Sequence, residues 1–98
     1  MIRGTTPKVI FNLPIETSQI SIAYVTFKND KGVLVEKTLA QCTLESNKII
    51  ASLTQVETLS FEAGRVQVQL KAKLKDGTVI GSRIRDIRVG NALKEDVI

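Results

Sequence analysis

Between Arg65 and Leu74 the chain reads Arg-Val-Gln-Val-Gln-Leu-Lys-Ala-Lys-Leu, and its polarity switches at every residue. A side-chain period of two is the signature of a β-strand. Val66, Val68, Leu70, Ala72 and Leu74 therefore share one face, and Arg65, Gln67, Gln69, Lys71 and Lys73 share the other. A strand with one apolar and one polar face belongs to an antiparallel sheet covered on one side only, most simply one of two sheets packed face to face. The remaining residues have to supply the second layer.

They read as further short strands separated by turn signals. Lys8 to Leu13 is bracketed by Pro7 and Pro14, which cannot donate to a ladder, and is expected as an edge strand. A long strand over Ile20 to Lys28 alternates Ala23, Val25 and Phe27 against Tyr24, Thr26 and Lys28. Ile20 and Ile22 fall on the wrong side of that alternation, so both faces near its start are expected to be covered. Asn29-Asp30-Lys31-Gly32 turns this strand into Val33 to Leu39, giving a hairpin. A second hairpin joins Cys42 to Glu45 with Ile49 to Leu53, and it places Cys42 in an apolar strand as a buried small hydrophobe. Thr54-Gln55-Val56-Glu57 matches the T-x-x-E capping box and predicts one helical turn near residues 54–59, crossing from one sheet to the other.

After the central strand, Lys75-Asp76-Gly77-Thr78 is a strong hairpin signal. In the strand that follows, unbroken alternation would put Arg83 and Arg85 on one face with Ile87 and Val89, and unpaired arginines in a core are costly. Gly81-Ser82 therefore predicts a bulge or bend that shifts the register and turns Arg83 or Arg85 to solvent. Gly90-Asn91 closes the fold. About seven strands with regular turn signals predict an all-β, immunoglobulin-like antiparallel sandwich as a single domain over residues 1–91, with 92–98 as a C-terminal tail. At 43% hydrophobic and 24% charged residues, composition is that of a folding chain and not of a disordered one.

Composition also narrows the chemistry. The chain has no histidine and a single cysteine, which removes His-based triads, Cys-His pairs and the ordinary zinc, copper and iron sites. No carboxylate has a catalytic motif around it, and the dispersed glycines form no phosphate cradle. No catalytic residue, cofactor or metal is expected, and no small-molecule substrate. The first seven residues carry no apolar stretch of signal-peptide length, and no segment approaches the roughly 20 apolar residues of a membrane span.

Charge is unevenly distributed. Residues 65 to 91 carry seven cations against Asp76 and Asp86, whereas residues 1 to 64 carry six charges of each sign. Arg83, Arg85, Arg88, Gln67, Gln69, Lys71 and Lys73 are the candidate interface residues, set against the plainer reading of a solvated sheet face. Nucleic-acid binding by this basic third would call for aromatic residues to stack single-stranded bases, and the region has none, which argues against it. A carbohydrate- or cell-surface-binding module would use exposed aromatic platforms, for which only Tyr24 is a candidate.

Met1-Ile2-Arg3-Gly4-Thr5-Thr6-Pro7, Phe11-Asn12-Leu13-Pro14, the run Leu53 to Phe61, and Val66-Gln67-Val68-Gln69-Leu70 ahead of Asp76-Gly77 carry a resemblance across nearly the whole chain. It resembles small all-β proteins encoded among the structural genes of tailed phages and prophages of Gram-positive bacteria. It is also similar to the N-terminal sandwich domain of phage baseplate upper proteins. The resemblance implies a non-enzymatic virion component in tail, baseplate or head, made in the host bacterial cytoplasm. Its partners would be other virion proteins or copies of itself, as a homo-oligomer within an assembly. The shared motifs are caps, turns and alternation, and carry no active site.

Overall fold

A computed structural model describes all 98 residues. The alternating segment is the centre of the larger sheet, as strand β6, Gly64–Leu74. Val66, Val68, Leu70 and Ala72 are buried along its inner face. Antiparallel to it on one side runs β2, Ile20–Asn29, with Val25 opposite Leu70 and Phe27 opposite Val68. The sheet continues outward to β3, Gly32–Thr38. On the other side of β6 lie two short strands in succession, β7 (Val79–Gly81) and β8 (Arg85–Val89). The smaller sheet has the order β1 (Lys8–Asn12), β5 (Lys48–Ser52), β4 (Thr43–Glu45).

The chain alternates between layers: β1 in the small sheet, the β2–β3 hairpin in the large one, the β4–β5 hairpin back in the small one, then β6 to β8 in the large one. This is the Greek-key pattern of an immunoglobulin-like sandwich, its small sheet corresponding to strands B, E and D and its large sheet to C′, C, F and G. The first strand of such a sandwich is reduced here to a single parallel bridge between Ile2 and Gly90, with the Gly90 N–H donating to the Met1 carbonyl at 2.8 Å. The count of eight strands against the expected seven arises because the final strand is broken into β7 and β8.

Inward-facing residues of both layers form one core, in which Phe11, Ile49, Ala51 and Leu53 from the small sheet meet Ala23, Val25, Phe27 and the apolar row of β6. Phe61 closes one end, its ring 6.2 Å from that of Phe27. Burying a side chain of this size contributes about 1.5–3 kcal/mol. The two buried polar residues are both satisfied: the Thr17 hydroxyl donates to the Glu45 carbonyl and the Thr58 hydroxyl to the Thr5 carbonyl, each at 2.8 Å.

The predicted helical turn is α1, Gln55–Leu59, between β5 and β6. Its capping box is complete, with the Glu57 N–H donating to Thr54 Oγ1 at 3.1 Å and the Thr54 N–H to Glu57 Oε1 at 2.8 Å. The β6–β7 turn holds Gly77 at φ 93°, a left-handed value that favours glycine, and the Thr78 N–H donates to the Asp76 carboxylate at 2.9 Å.

Two expectations need correction. Ile20 and Ile22 are not both covered: a register shift between them turns Ile20 into the core and leaves Ile22 exposed on the outer face. Cys42 lies outside the strand, between a 3₁₀ turn at Leu39–Gln41 and β4, and is half-buried. That 3₁₀ turn is itself held by a T-x-x-Q pair, the Thr38 N–H donating to Gln41 Oε1 at 2.9 Å. The expected bulge follows Gly81 and leaves Arg83 exposed; Arg85 is exposed too, although it lies on the inner side of the sheet. Residues 92–98 form no helix or strand; they pass Arg3, which pairs with Glu95 at 2.7 Å, and reach Gln55, whose side chain exchanges two 2.8 Å hydrogen bonds with the Ile98 backbone.

Candidate assembly face

The outer face of the five-stranded sheet is assembled by register. The row Arg65, Gln67, Gln69, Lys71, Lys73 of β6 lies beside Lys28, Thr26, Tyr24 and Ile22 of β2, with Tyr24 directly opposite Lys71 and Thr26 opposite Gln69. On the far side of the row stand Val79 opposite Lys73, Gly81 opposite Lys71, and Arg88 opposite Arg65. No other element of the chain lies over this surface, since the smaller sheet packs against the opposite side.

Five of the seven candidate residues, Gln67, Gln69, Lys71, Lys73 and Arg88, are therefore brought together on one face. Arg83 stands close by, exposed in the bulge between β7 and β8. Arg85 does not join them. It pairs with Val68 in register, so it points to the inner side, where its guanidinium lies over the Phe11 ring at 4.4 Å from the centroid. Contact with the aromatic face accounts for a cation at the margin of the core, at a stabilisation of about 0.5–1 kcal/mol for an exposed pair.

Electrostatically the face is only partly neutralised. Arg65 and Arg88 oppose each other, an arrangement that destabilises a sheet unless counter-charge is near. Asp30 and Asp86 supply it to Arg65, at 3.6 and 3.9 Å. Lys28, Lys71, Lys73, Arg83, Arg85 and Arg88 make no ion pair.

Sequence reasoning missed the apolar component. Ile22, Tyr24 and Val79 are 45%, 43% and 54% exposed and surround Lys71 and Lys73, lining a shallow hollow of about 320 Å³. The parity of Ile22 with Tyr24 was the available signal, since alternation alone sets both on the outer face and the register shift before Ile22 turns only Ile20 inward. A second hollow of about 170 Å³ lies between Lys28, Gln67, Gln69 and Ile84. The surface thus offers an aromatic and aliphatic cluster within a cationic and amide surround.

Cys42 adds no chemistry to this face. Burial pushes its thiol up, only partly offset by the Lys37 ammonium, which keeps it protonated and a poor nucleophile. No helix is long and apolar enough to cross a membrane.

No protein-family model, curated protein sequence or solved structure matches the chain.

Proposed function

We propose that this protein is a non-enzymatic structural component of a tailed-phage or prophage virion, in tail, baseplate or head, and that it works by packing the outer face of its larger sheet against other virion subunits. The resemblance carried by the opening segment, the Leu53 to Phe61 run and the central strand supports the virion setting. The observation that carries the mode of action is the uncovered cluster of Ile22, Tyr24 and Val79 among unpaired Lys71 and Lys73. An apolar and aromatic centre within a polar rim is the usual anatomy of a protein interface. The lysines favour a partner surface that is acidic at its margin.

Tyr24 beside Lys71 also gives the basic region the aromatic neighbour that its own sequence lacks, which favours single-stranded nucleic acid as the second reading. One stacking residue is few for such a surface. The two readings separate on a heparin or single-stranded DNA column, where phosphate binding would show steep salt-dependent retention. The assembly reading predicts passage without retention at physiological salt. The virion reading itself is tested by mass spectrometry of tailed particles purified from the encoding bacterium. The chain is expected in them at a stoichiometry matching the structural proteins, and its absence from intact particles would overturn the proposal.

A further inference from the structure

A separate cleft opens between the two sheets where the last strand breaks. It has a volume of about 330 Å³, within the range of about 300–1,000 Å³ common for binding pockets, and is lined by Leu13 and Pro14 after β1, by Leu70 and Ile80 of the large sheet, and by Phe11 beneath Arg85. Its walls are mostly apolar, with Asn12 and Ser82 among them, and its one charged lining residue, Arg85, makes no ion pair. The complementary chemistry is a chain segment with aliphatic side chains beside carboxylates.

The protein carries such a segment. Residues 93–98 read Leu-Lys-Glu-Asp-Val-Ile, and Leu93 and Ile98 are almost wholly exposed while Val97 is more than half exposed. We propose that this segment of one copy occupies the cleft of a second copy, with Val97 or Ile98 against Phe11, Leu13 and Ile80 and with Glu95 or Asp96 facing Arg85. Asp96 is held only by an exposed pair with Lys94 at 2.6 Å, of the kind that exchanges at little cost, whereas Glu95 would have to leave the mostly buried Arg3, which keeps its bond to the Leu59 carbonyl. In its own copy the segment is held away from the cleft, Ile98 exchanging two 2.8 Å hydrogen bonds with Gln55 of α1, so the proposed contact is made between copies and joins unlike ends. The segment leaves the sandwich at Gly90, beside the Gly64 end of β6, whereas Leu70 and Ile80 lie toward the other end of that strand. A contact between unlike patches closes into a ring if the rotation allows and otherwise extends as a filament. This inference rests on the assembly reading above but uses a different surface.

Sedimentation of three proteins tests it. The wild-type chain is expected to associate in a concentration-dependent series beyond the dimer. A cleft variant, Arg85→Glu, and a segment variant, Val97→Asp with Ile98→Asp, should each be monomeric alone. Mixed in equal amounts, they should form dimers and nothing larger, because only one intact junction can be made. Asn12→Glu, at the cleft mouth, repeats the first arm without disturbing the Arg85–Phe11 contact, and circular dichroism establishes that every variant is folded. A monomeric wild type, variants that associate like it, or a mixture that stays monomeric would each overturn the inference. A monomeric wild type with a mixture that still dimerises is the result expected if each segment filled its own cleft. Lys71→Glu with Lys73→Glu should leave this series unchanged. Loss of that variant from particles, alongside a monomeric wild type in solution, would therefore sink the head-to-tail contact while leaving the outer-face reading intact.

Discussion

Glu57 serves two neighbours at once. One carboxylate oxygen accepts the Thr54 N–H of the capping box, and the group also pairs with Lys37 of β3 at 2.7 Å, so the short helix is tied to the edge of the large sheet. Burial works against its charge, but hydrogen bonds and attraction from Lys37 and Thr54 outweigh that and hold the carboxyl below its ordinary value. A depressed folded-state pKa means stability that is present above the unfolded value of about 4.3 and is lost as pH falls through the lower folded value. Unfolding midpoints of wild type and Glu57→Gln should therefore differ at pH 7 and draw together as pH falls below the unfolded value of about 4.3. A constant difference across that range would contradict this role. Thr54→Ala should lower stability by about 0.5–2 kcal/mol in denaturant titrations, and an unchanged midpoint would contradict the cap. The T-x-x-E spacing made this half of the site readable in the sequence. The Lys37 partner was not, because it is twenty residues away and arrives only through the crossing of β3 past α1.

At the scale of the element, the informative feature is the break between β7 and β8. Gln69 and Leu70 of β6 face three residues, Ser82, Arg83 and Ile84, so one residue is inserted and inward parity changes from even at Ile80 to odd at Ile87 and Val89. The conflict between Arg83, Arg85 and the apolar residues around them announced such a break, and Gly81-Ser82 marked its place. The mechanism was not legible. Ser82 stands in for the missing ladder bond: its Oγ accepts the Leu70 N–H at 3.0 Å, and its own N–H donates to the Leu70 carbonyl at 2.9 Å. Alternation does set Arg85 on the face of Ile87 and Val89, but it could not show that Phe11 of the other sheet would offer its ring there. Ser82→Ala should remove the partner of a backbone N–H on a buried residue, at about 1–3 kcal/mol, and speed hydrogen exchange at the Leu70 amide. Ser82→Thr should restore most of the protection. Equal exchange in all three proteins would show that the hydroxyl does not hold the bulge.

For the whole molecule, the two-layer fold followed from the polarity of one strand and the spacing of turns, because those are local signals repeated along the chain. The outer face is a product of register. Tyr24 and Lys71 are remote in sequence and become neighbours only when β2 pairs with β6, and Val79 joins them only because β7 pairs at the position of Lys73. That face is expected to act without contributing to the core, so folding and assembly should be separable there. The direct measurement is a paired one on Lys71→Glu with Lys73→Glu: thermal unfolding of the purified chain, and its incorporation into particles relative to wild type. The account predicts a melting temperature close to that of wild type and loss of incorporation. Wild-type incorporation of the charge-reversed protein would contradict it.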